Sequence, residues 1–297
     1  MKKMIKNVYE KIPFKREAFS LLKITANLPE SVYQHLYFNG IINVKVNENE
    51  SFKMMHYGHP IENDLFWKGL YGSWEKQSMK LWTNLSKRSN IIFDIGANTG
   101  VYSMVSKTVN PRAEVHAFEP FEAIHQKLDY NASINNFKIH TNCKAISNYT
   151  GDGVIYTDGG DFAYSVTVNK NLWVKDQQPV ELNIKTITLK EYIEQKRITN
   201  IDLMKIDVET HEPEVMEGFI PYFNQFKPIL LIEILNDEVA QKLNNYFDVD
   251  KYSFYNIDEK AGIRRTMSLM KSDFYNYLIV PKEKEVYITN LNADNEF

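Results

Sequence analysis

Residues 91–100 read Ile-Ile-Phe-Asp-Ile-Gly-Ala-Asn-Thr-Gly, an apolar run that passes directly into a glycine turn. The run has the length of a strand, and Gly96 would let the backbone of the turn approach a ligand closely. Gly100 would allow tight packing where a helix begins, with Asn98 or Thr99 as its cap. Because ligands of doubly wound sheets bind at the carboxyl ends of strands, the turn predicts a cofactor site.

Short apolar runs and helical patterns alternate after residue 90, which predicts an α/β fold of the Rossmann-like type with a mostly parallel sheet. The predicted strands are 91–95, 114–118, 137–141, 201–206 and 229–234, and the predicted helices are 101–109, 121–134, 189–195 and 212–223. Residues 145–186 have few helix signals and predict strands and loops. The runs 252–256 and 274–280, with loop and turn residues between them, predict an antiparallel edge.

The N-terminal part has a different pattern. Residues 17–24 predict a helix that ends before Pro29, and the alternating runs 41–46 and 52–55 predict a hairpin. We therefore expect an N-terminal extension over 1–69, a catalytic domain over 70–285 and a polar C-terminal tail over 286–297. Within the aromatic stretch 66–82, Trp74, Met79 and Trp82 are expected to share one helical stripe and to pack in the core.

Charge and composition narrow the choice of partners. Lys and Arg number 35 against 38 Asp and Glu, a net charge of −3, so we expect no nucleic-acid partner. The single cysteine, Cys143, excludes an intrachain disulfide and a cysteine-based zinc site. No apolar run reaches the length of an integral membrane segment, and we expect a cytoplasmic protein. The oligomeric state stays open.

Two carboxylates indicate the kind of cofactor. Glu119 ends the second predicted strand, where it can accept the ribose hydroxyls of a nucleoside. Asp94 lies within the first strand end, where it would repel a pyrophosphate but suit the cationic end of S-adenosylmethionine (AdoMet). The spacing Gly96-x-x-x-Gly100 also differs from the G-x-G-x-x-G of dinucleotide loops. AdoMet is favoured, while an NAD(P)-binding oxidoreductase and a catalytically inactive Rossmann-fold binding protein stay open as alternatives.

The stretches FDIGANTG and AFEP resemble the nucleotide-binding signature of the FkbM family of class I AdoMet-dependent methyltransferases. A second signature is similar over residues 202–218 and leads to PILLIE at 228–233, and Gly72-Ser-Trp-Glu75 resembles the element before the first strand. The resemblance implies a class I methyltransferase fold. It also implies that AdoMet is bound by Glu75, Asp94, Gly96, Ala97, Asn98, Gly100, Glu119, Pro120, Ala145 and Asp207.

The loop after the strand 201–206 carries the predicted chemistry. Asp207, Glu209 and His211 lie at the same sheet edge as the glycine turn and are the candidate catalytic residues, with His211 as general base and Glu209 to orient it or to hold the acceptor. An alternative that we do not favour makes these three side chains ligands of a divalent metal, and no metal ligand is assigned. Lys205 receives no role.

The predicted reaction is methylation of a hydroxyl oxygen on a sugar-containing or natural-product small molecule or glycan, in polysaccharide or natural-product biosynthesis. The family has glycine where this chain has Thr210. If that position adopts a positive φ, threonine is strained there. The identity of the acceptor lies beyond the sequence.

Overall fold

The computed structural model describes residues 9, 12–72, 74–157 and 180–288. The chain forms two compact units, Met1–Trp74 and Glu75–Phe297. The glycine pair at 159–160 and residues 289–297 of the predicted tail lie outside the described residues.

The first unit contains the predicted helix and hairpin. Its helices are α1 (Lys15–Thr25), α2 (Glu30–Tyr33) and α3 (Pro60–Lys68), and its strands are β1 (Gly40–Lys45) and β2 (Ser51–His56). β1 and β2 pair antiparallel, as predicted, and alternate residues of both strands are buried. The helix α3 was not predicted, although it begins with a capping box in which the His59 N–H donates to Glu62 Oε2 at 3.1 Å.

The second unit alternates strands and helices. It contains α4 (Lys76–Ser86), β3 (Ile91–Ile95), α5 (Val101–Val109), β4 (Glu114–Phe118), α6 (Glu122–Ile134), β5 (Ile139–Asn142), β6 (Ala145–Ile146), β7 (Gly151–Thr157), β8 (Val180–Ile187), α7 (Leu189–Lys196), β9 (Leu203–Ile206), α8 (Glu212–Phe226), β10 (Ile229–Glu233), α9 (Asp237–Asn244), β11 (Tyr252–Asp258), β12 (Gly262–Thr266), β13 (Asn276–Pro281) and a 3₁₀ turn (Lys282–Lys284). The predicted strands and helices after residue 90 are present, with ends that differ by a few residues.

The central sheet has eight strands in the order β12-β11-β13-β10-β9-β3-β4-β5. The five from β10 to β5 are parallel, while β13 pairs antiparallel with both β10 and β11. This confirms the Rossmann-like class I methyltransferase fold with an antiparallel edge. One prediction was wrong: β12 lies between the last two predicted runs, where only loops and turns were expected, and it forms the edge strand itself.

The strand order defines where a ligand can bind. From β3 the chain continues to β4 and β5 on one side, and it later returns to β9 and β10 on the other. The carboxyl ends of β3 and β9 therefore flank the point where strand order reverses, the usual binding crevice of such sheets. The strands around it are held by a core in which Phe93, Ile95, Met204 and Ile206 are fully buried.

The aromatic stripe packs in the core only in part. Met79 and Trp82 on α4 are fully buried, and the indole N–H of Trp82 donates to Tyr102 O at 3.0 Å and to Ser106 Oγ at 2.8 Å. Trp74 precedes α4 and is not part of its stripe, because the helix begins only at Lys76. Residues 145–146, 151–157 and 180–187 form the separate sheet β6-β8-β7, consistent with the predicted strands and loops. No helix among the described residues has the length and apolar character to cross a bilayer.

Candidate functional site

The glycine turn after β3 packs directly on the loop after β9. Gly96 has φ 78°, and a Cβ at this position would collide with the carbonyl oxygen of Asp207. The N–H groups of Gly96 and Ala97 both donate to Phe118 O, at 3.0 and 2.9 Å, which ties the turn to the end of β4. The residues of the first and second signatures therefore lie side by side.

The start of α5 differs from its prediction. Gly100, with φ 93°, is the N-cap residue, and no side chain caps the helix. Asn98 instead has φ 50°, and its Oδ1 accepts a hydrogen bond from the N–H of Thr99 at 2.8 Å. Asn98 and Thr99 were therefore wrongly predicted as the cap, because the turn already occupies the Asn98 side chain before the helix begins.

Asp94 is fully buried at the end of β3. Its Oδ2 accepts a hydrogen bond from Ser103 Oγ at 2.6 Å, whereas its Oδ1 has no hydrogen-bond partner among the described residues. Burial raises the pKa of Asp94, and the positive charge of Lys205 opposes that rise. A buried carboxylate oxygen without a partner is costly, so a nearby positive charge or hydrogen-bond donor would stabilise this atom.

Glu119 follows β4 and is held by the backbone. Its Oε2 accepts from the N–H of Asn98 at 3.1 Å, and its Oε1 accepts from the N–H of Phe121 at 2.9 Å. Burial raises its pKa to about 7, against the effect of these two hydrogen bonds. Each oxygen keeps a further lone pair, so the fixed carboxylate can still accept from a ligand hydroxyl.

Pro120 and Ala145 lie near this strand end. The carbonyl of Pro120 accepts a weak hydrogen bond from Cys143 Sγ at 3.7 Å, and Ala145 is buried in β6 opposite Thr186. Cys143 itself is partly exposed, and burial raises the pKa of its thiol.

Lys205 organises the centre of the site, a role that the sequence did not predict. Its Nζ lies 2.7 Å from Asp207 Oδ2 and 4.9 Å from the ring centroid of Tyr102. Asp207, Asp94 and Glu75 all act to raise its pKa, and together they outweigh the opposing effect of burial. This ammonium group therefore stays charged among the carboxylates that surround it.

Glu75 belongs to the same network. Its Oε2 accepts from Tyr102 Oη at 2.6 Å, and its Oε1 accepts from Asn276 Nδ2 at 3.0 Å. Burial raises its pKa to about 7, with Lys205 opposing the rise. The carboxylate before α4 is thus connected, through Tyr102 and Lys205, to the ends of β3 and β9. Tyr102 and Asn276 lie far from Glu75 in sequence, so no local pattern indicated them.

The three predicted catalytic residues do not all meet at one point. The N–H of Asp207 donates to Ile95 O at 3.1 Å, which fixes the start of the loop beside β3. His211 Nε2 instead lies 2.9 Å from Ser147 Oγ, and its Nδ1 lies 3.5 Å from Glu214 Oε2. In the described part of the chain, Asp207, Glu209 and His211 form no group whose ligand atoms converge on a single ion. The metal alternative at this loop therefore lacks geometric support.

The loop backbone is strained where the family glycine would lie. Glu209 and Thr210 have φ 54° and 76°, which confirms that the position of Thr210 requires a positive φ. Thr210 Oγ1 is also buried without a partner among the residues that the structure describes. Burial and the charge of Asp207 raise the pKa of Glu209 to about 7, whereas burial lowers the pKa of His211.

Carboxyl groups dominate the electrostatics of this crevice. Burial raises the pKa of Glu212 to about 8, and burial together with the charges of Asp207 and Glu209 raises the pKa of Glu233 well above its usual range. The positive charge of Lys205 opposes this rise in pKa at Glu75, Asp94, Glu119 and Glu209. The site therefore favours a cationic ligand and disfavours a phosphate.

Comparison with known proteins gives a family and several relatives. Residues 94–264, more than half of the chain, match the Methyltransferase FkbM domain. A hexuronic acid methyltransferase, AglP of Haloferax volcanii, is 26% identical over 144 residues, which are 48% of this chain and 56% of that protein. The 31-O-demethyl-FK506 methyltransferase FkbM of Streptomyces tacrolimicus is 24% identical over 153 residues, 43% of this chain and 59% of that protein. The chain thus spans little more than half the length of these relatives.

Among solved structures, a methyltransferase FkbM from Methylobacillus flagellatus KT aligns with 64% of this chain and 43% of its own, at 17% identity and a TM-score of 0.41. An O-methyltransferase from Bacillus cereus in complex with SAH aligns with 94% of this chain and 96% of its own, at 12% identity and a TM-score of 0.39.

Proposed function

This chain belongs to the FkbM methyltransferase-domain family, and we propose that it binds AdoMet at the carboxyl ends of β3, β4 and β9 and methylates a hydroxyl oxygen. The observation that carries this proposal is the group of buried carboxyls around Lys205, which suits a positively charged nucleoside and would repel a pyrophosphate. AdoMet, when bound, supplies a methyl group on a positively charged sulfur.

The residues of the crevice fit this cofactor. Asp94 Oδ1 is buried without a partner among the described residues, and a cationic group would satisfy it. Glu119 is fixed by two backbone N–H groups and keeps acceptor capacity for ribose hydroxyls. Glu75 and Asp207 are joined to the same network through Tyr102 and Lys205. We propose Gly96, Ala97, Asn98, Gly100, Pro120 and Ala145 as further cofactor contacts.

The remaining residues would handle the acceptor. Methyl transfer requires a nucleophile aligned with the donor, and most of the rate comes from holding that alignment. We propose that Glu209 or His211 accepts the proton of the acceptor hydroxyl. Glu209, with a pKa of about 7, is partly deprotonated near neutral pH and can then act as a base. His211, whose pKa burial lowers, is neutral there and is positioned by Ser147 and Glu214.

The proposed acceptor is a small molecule or glycan with a sugar-like hydroxyl. The names of two relatives support this proposal, since one is called a hexuronic acid methyltransferase and the other a 31-O-demethyl-FK506 methyltransferase, which indicates methylation at an oxygen. The place of the reaction would then be polysaccharide or natural-product biosynthesis.

The cofactor is tested by calorimetric titration of the purified chain with AdoMet, with its demethylated product and with NAD. We expect the first two to bind and NAD to bind at least about tenfold more weakly. Asp94→Asn should weaken AdoMet binding, whereas Asp152→Asn, a control at an exposed carboxylate, should leave it unchanged. Binding of NAD in preference to AdoMet would overturn the proposal in favour of an oxidoreductase.

The acceptor is tested by incubating cell extract with the protein and methyl-labelled AdoMet, followed by mass spectrometry. Label on an oxygen of a sugar-containing or natural-product compound supports the proposal. Label on a nitrogen would contradict it. AdoMet binding without any labelled product would instead favour an inactive binding protein.

A further inference from the structure

Three potential metal ligands meet on β4 and β5, away from the proposed methyl-donor site. Glu114 and His116 lie two residues apart on β4 and therefore project from the same face of the strand. His140 on β5 is the residue paired directly opposite His116. Glu119, at the other end of β4, lies about 16 Å from Glu114 along the strand. This cluster, which we call the β4–β5 cluster, is therefore separate from the cofactor crevice.

The distances within the β4–β5 cluster match those of a metal site. Glu114 Oε1 lies 3.0 Å from His116 Nε2 and 3.6 Å from His140 Nε2. All three ligand atoms lie within 4.8 Å of one another. Around a tetrahedral zinc ion with bonds of about 2.0–2.1 Å, ligand atoms are about 3.3–3.4 Å apart, between the two observed values. Small side-chain rotations would therefore bring the three atoms around one ion.

The histidine rings are already oriented for such a role. His116 and His140 stack with their ring centroids 4.6 Å apart and an interplanar angle of 14°, so both Nε2 atoms face Glu114. His116 Nδ1 lies 2.8 Å from Tyr192 Oη, which also accepts from Asn142 Nδ2 at 3.2 Å. A hydrogen bond from Nδ1–H to Tyr192 leaves the Nε2 lone pair available, the arrangement found around metal-bound histidines.

The surroundings allow an ion to enter. The side chain of His116 is 1% exposed, whereas those of Glu114 and His140 are 49% and 52% exposed. The positive charge of Lys196 lies close enough to His116 to act on its ring. Lys196 also opposes a bound cation, and the Glu114 carboxylate offsets it.

We propose that Glu114, His116 and His140 bind one divalent transition-metal ion, with zinc as the expected occupant and water in the remaining position. Imidazole and carboxylate ligands suit zinc, and three protein ligands with one open position are a known arrangement for it. The ion would link β5, the edge strand at the parallel side of the central sheet, to β4. Its role would be to stabilise this edge, because it lies at the opposite end of β4 from the residues proposed to bind the methyl donor.

The test uses the full chain without an affinity tag, first treated with a chelator and then titrated with Zn²⁺ by calorimetry. We expect one ion per chain, a rise in the melting temperature with Zn²⁺, and visible absorption typical of tetrahedral Co²⁺ when cobalt replaces zinc. His140→Asn and Glu114→Gln, each at a half-exposed side chain, should fold normally by circular dichroism and lose at least about tenfold in affinity. Lys196→Gln should bind Zn²⁺ more tightly.

A matched control separates this site from other histidines. His35→Asn replaces an exposed histidine of the first unit and should leave zinc affinity unchanged. Absence of zinc binding by the wild-type chain would overturn the proposal, and the cluster would then be an ion pair and a ring stack only. Equal zinc affinity in the wild type, His140→Asn and Glu114→Gln would also overturn it. Because binding and melting temperature are measured without AdoMet, neither outcome depends on the proposed methyl transfer.

Discussion

Replacing Lys205 with methionine tests whether this single cation holds the acidic crevice together. The side chain of Lys205 is 7% exposed, and that of its partner Asp207 is 30% exposed. Methionine keeps most of the aliphatic length but removes the charge. The substitution leaves the Asp207 carboxylate without its ion pair. It also removes the positive charge that opposes the rise in pKa of Glu75, Asp94, Glu119 and Glu209.

The expected loss of stability follows from the burial of the pair. Removing one partner of a fully buried ion pair costs about 3–5 kcal/mol. Because Asp207 is partly exposed, water screens the charge left behind, and we expect about 2–3 kcal/mol. Lys185→Met offers a matched comparison, since Lys185 and its partner Asp152 are 65% and 83% exposed. Loss of that exposed pair should cost about 0–1 kcal/mol.

Urea unfolding of the wild type, Lys205→Met, Asp207→Asn and the double variant Lys205→Met/Asp207→Asn gives the coupling energy directly. We expect the double variant to be less destabilised than the sum of its single variants by about 1 kcal/mol or more, because the neutral amide that replaces the Asp207 carboxylate leaves no unpaired charge. AdoMet affinity should also fall in Lys205→Met, since the neighbouring carboxyls would be protonated more readily. A loss no larger than that of Lys185→Met, together with additive single effects, would refute the reasoning.

Three further changes test the turn and the loop. Gly96→Ala should destabilise by about 3 kcal/mol or more in urea unfolding, because the added Cβ meets the Asp207 carbonyl; Gly262→Ala, at φ 106° with open space around it, should cost only about 1 kcal/mol. Thr210→Gly should stabilise by about 1 kcal/mol by relieving φ 76° and removing a buried hydroxyl; Thr210→Ala, which keeps the strained backbone, should gain less. The wild-type kcat/KM should rise with pH through a midpoint of about 7 that Glu209→Gln abolishes, since a carboxyl must lose its proton to act as a base. A midpoint below pH 6.5 that disappears in His211→Asn would assign the base to His211 instead.

The parts of the fold that were predicted well are those with strong local signals. β3, β4 and α5 match their predicted bounds because apolar runs there are interrupted by glycine, asparagine and proline at the element ends. β12 was missed because its five residues, Gly-Ile-Arg-Arg-Thr, include one apolar side chain. An edge strand paired on one side needs little apolar surface, so its sequence shows almost no alternation of apolar and polar residues.

The residues of the site can also be separated by the strength of their local sequence signal. Asp94, Glu119 and Asp207 could be predicted because Asp94 lies near the end of an apolar strand, Glu119 and Asp207 each follow one, and parallel strands bring their carboxyl ends to one edge. The role of Lys205 could not be predicted, because a lysine is normally a surface residue and its position within the apolar strand β9 does not indicate a function. Its partners Tyr102 and Glu75 come from α5 and from the segment before α4, and a single sequence does not indicate which distant side chains surround a buried ammonium.

Lys205 and Thr210 together concern how the strained backbone of the loop after β9 is held in place. The loop begins at Asp207, whose N–H donates to Ile95 O of β3 and whose carboxylate is paired with Lys205 of β9. Two residues later the loop passes through two consecutive left-handed residues. Strained conformations of this kind persist where the surrounding structure over-determines them, and they concentrate at functional sites. The Lys205–Asp207 pair and the Val208 N–H, which donates to Glu212 Oε1 at 3.1 Å, provide that constraint on both sides of the strain. Lys205→Met should therefore also reduce the gain in stability from Thr210→Gly, because a loop whose Asp207 side chain is no longer held by Lys205 can relax its backbone without the glycine.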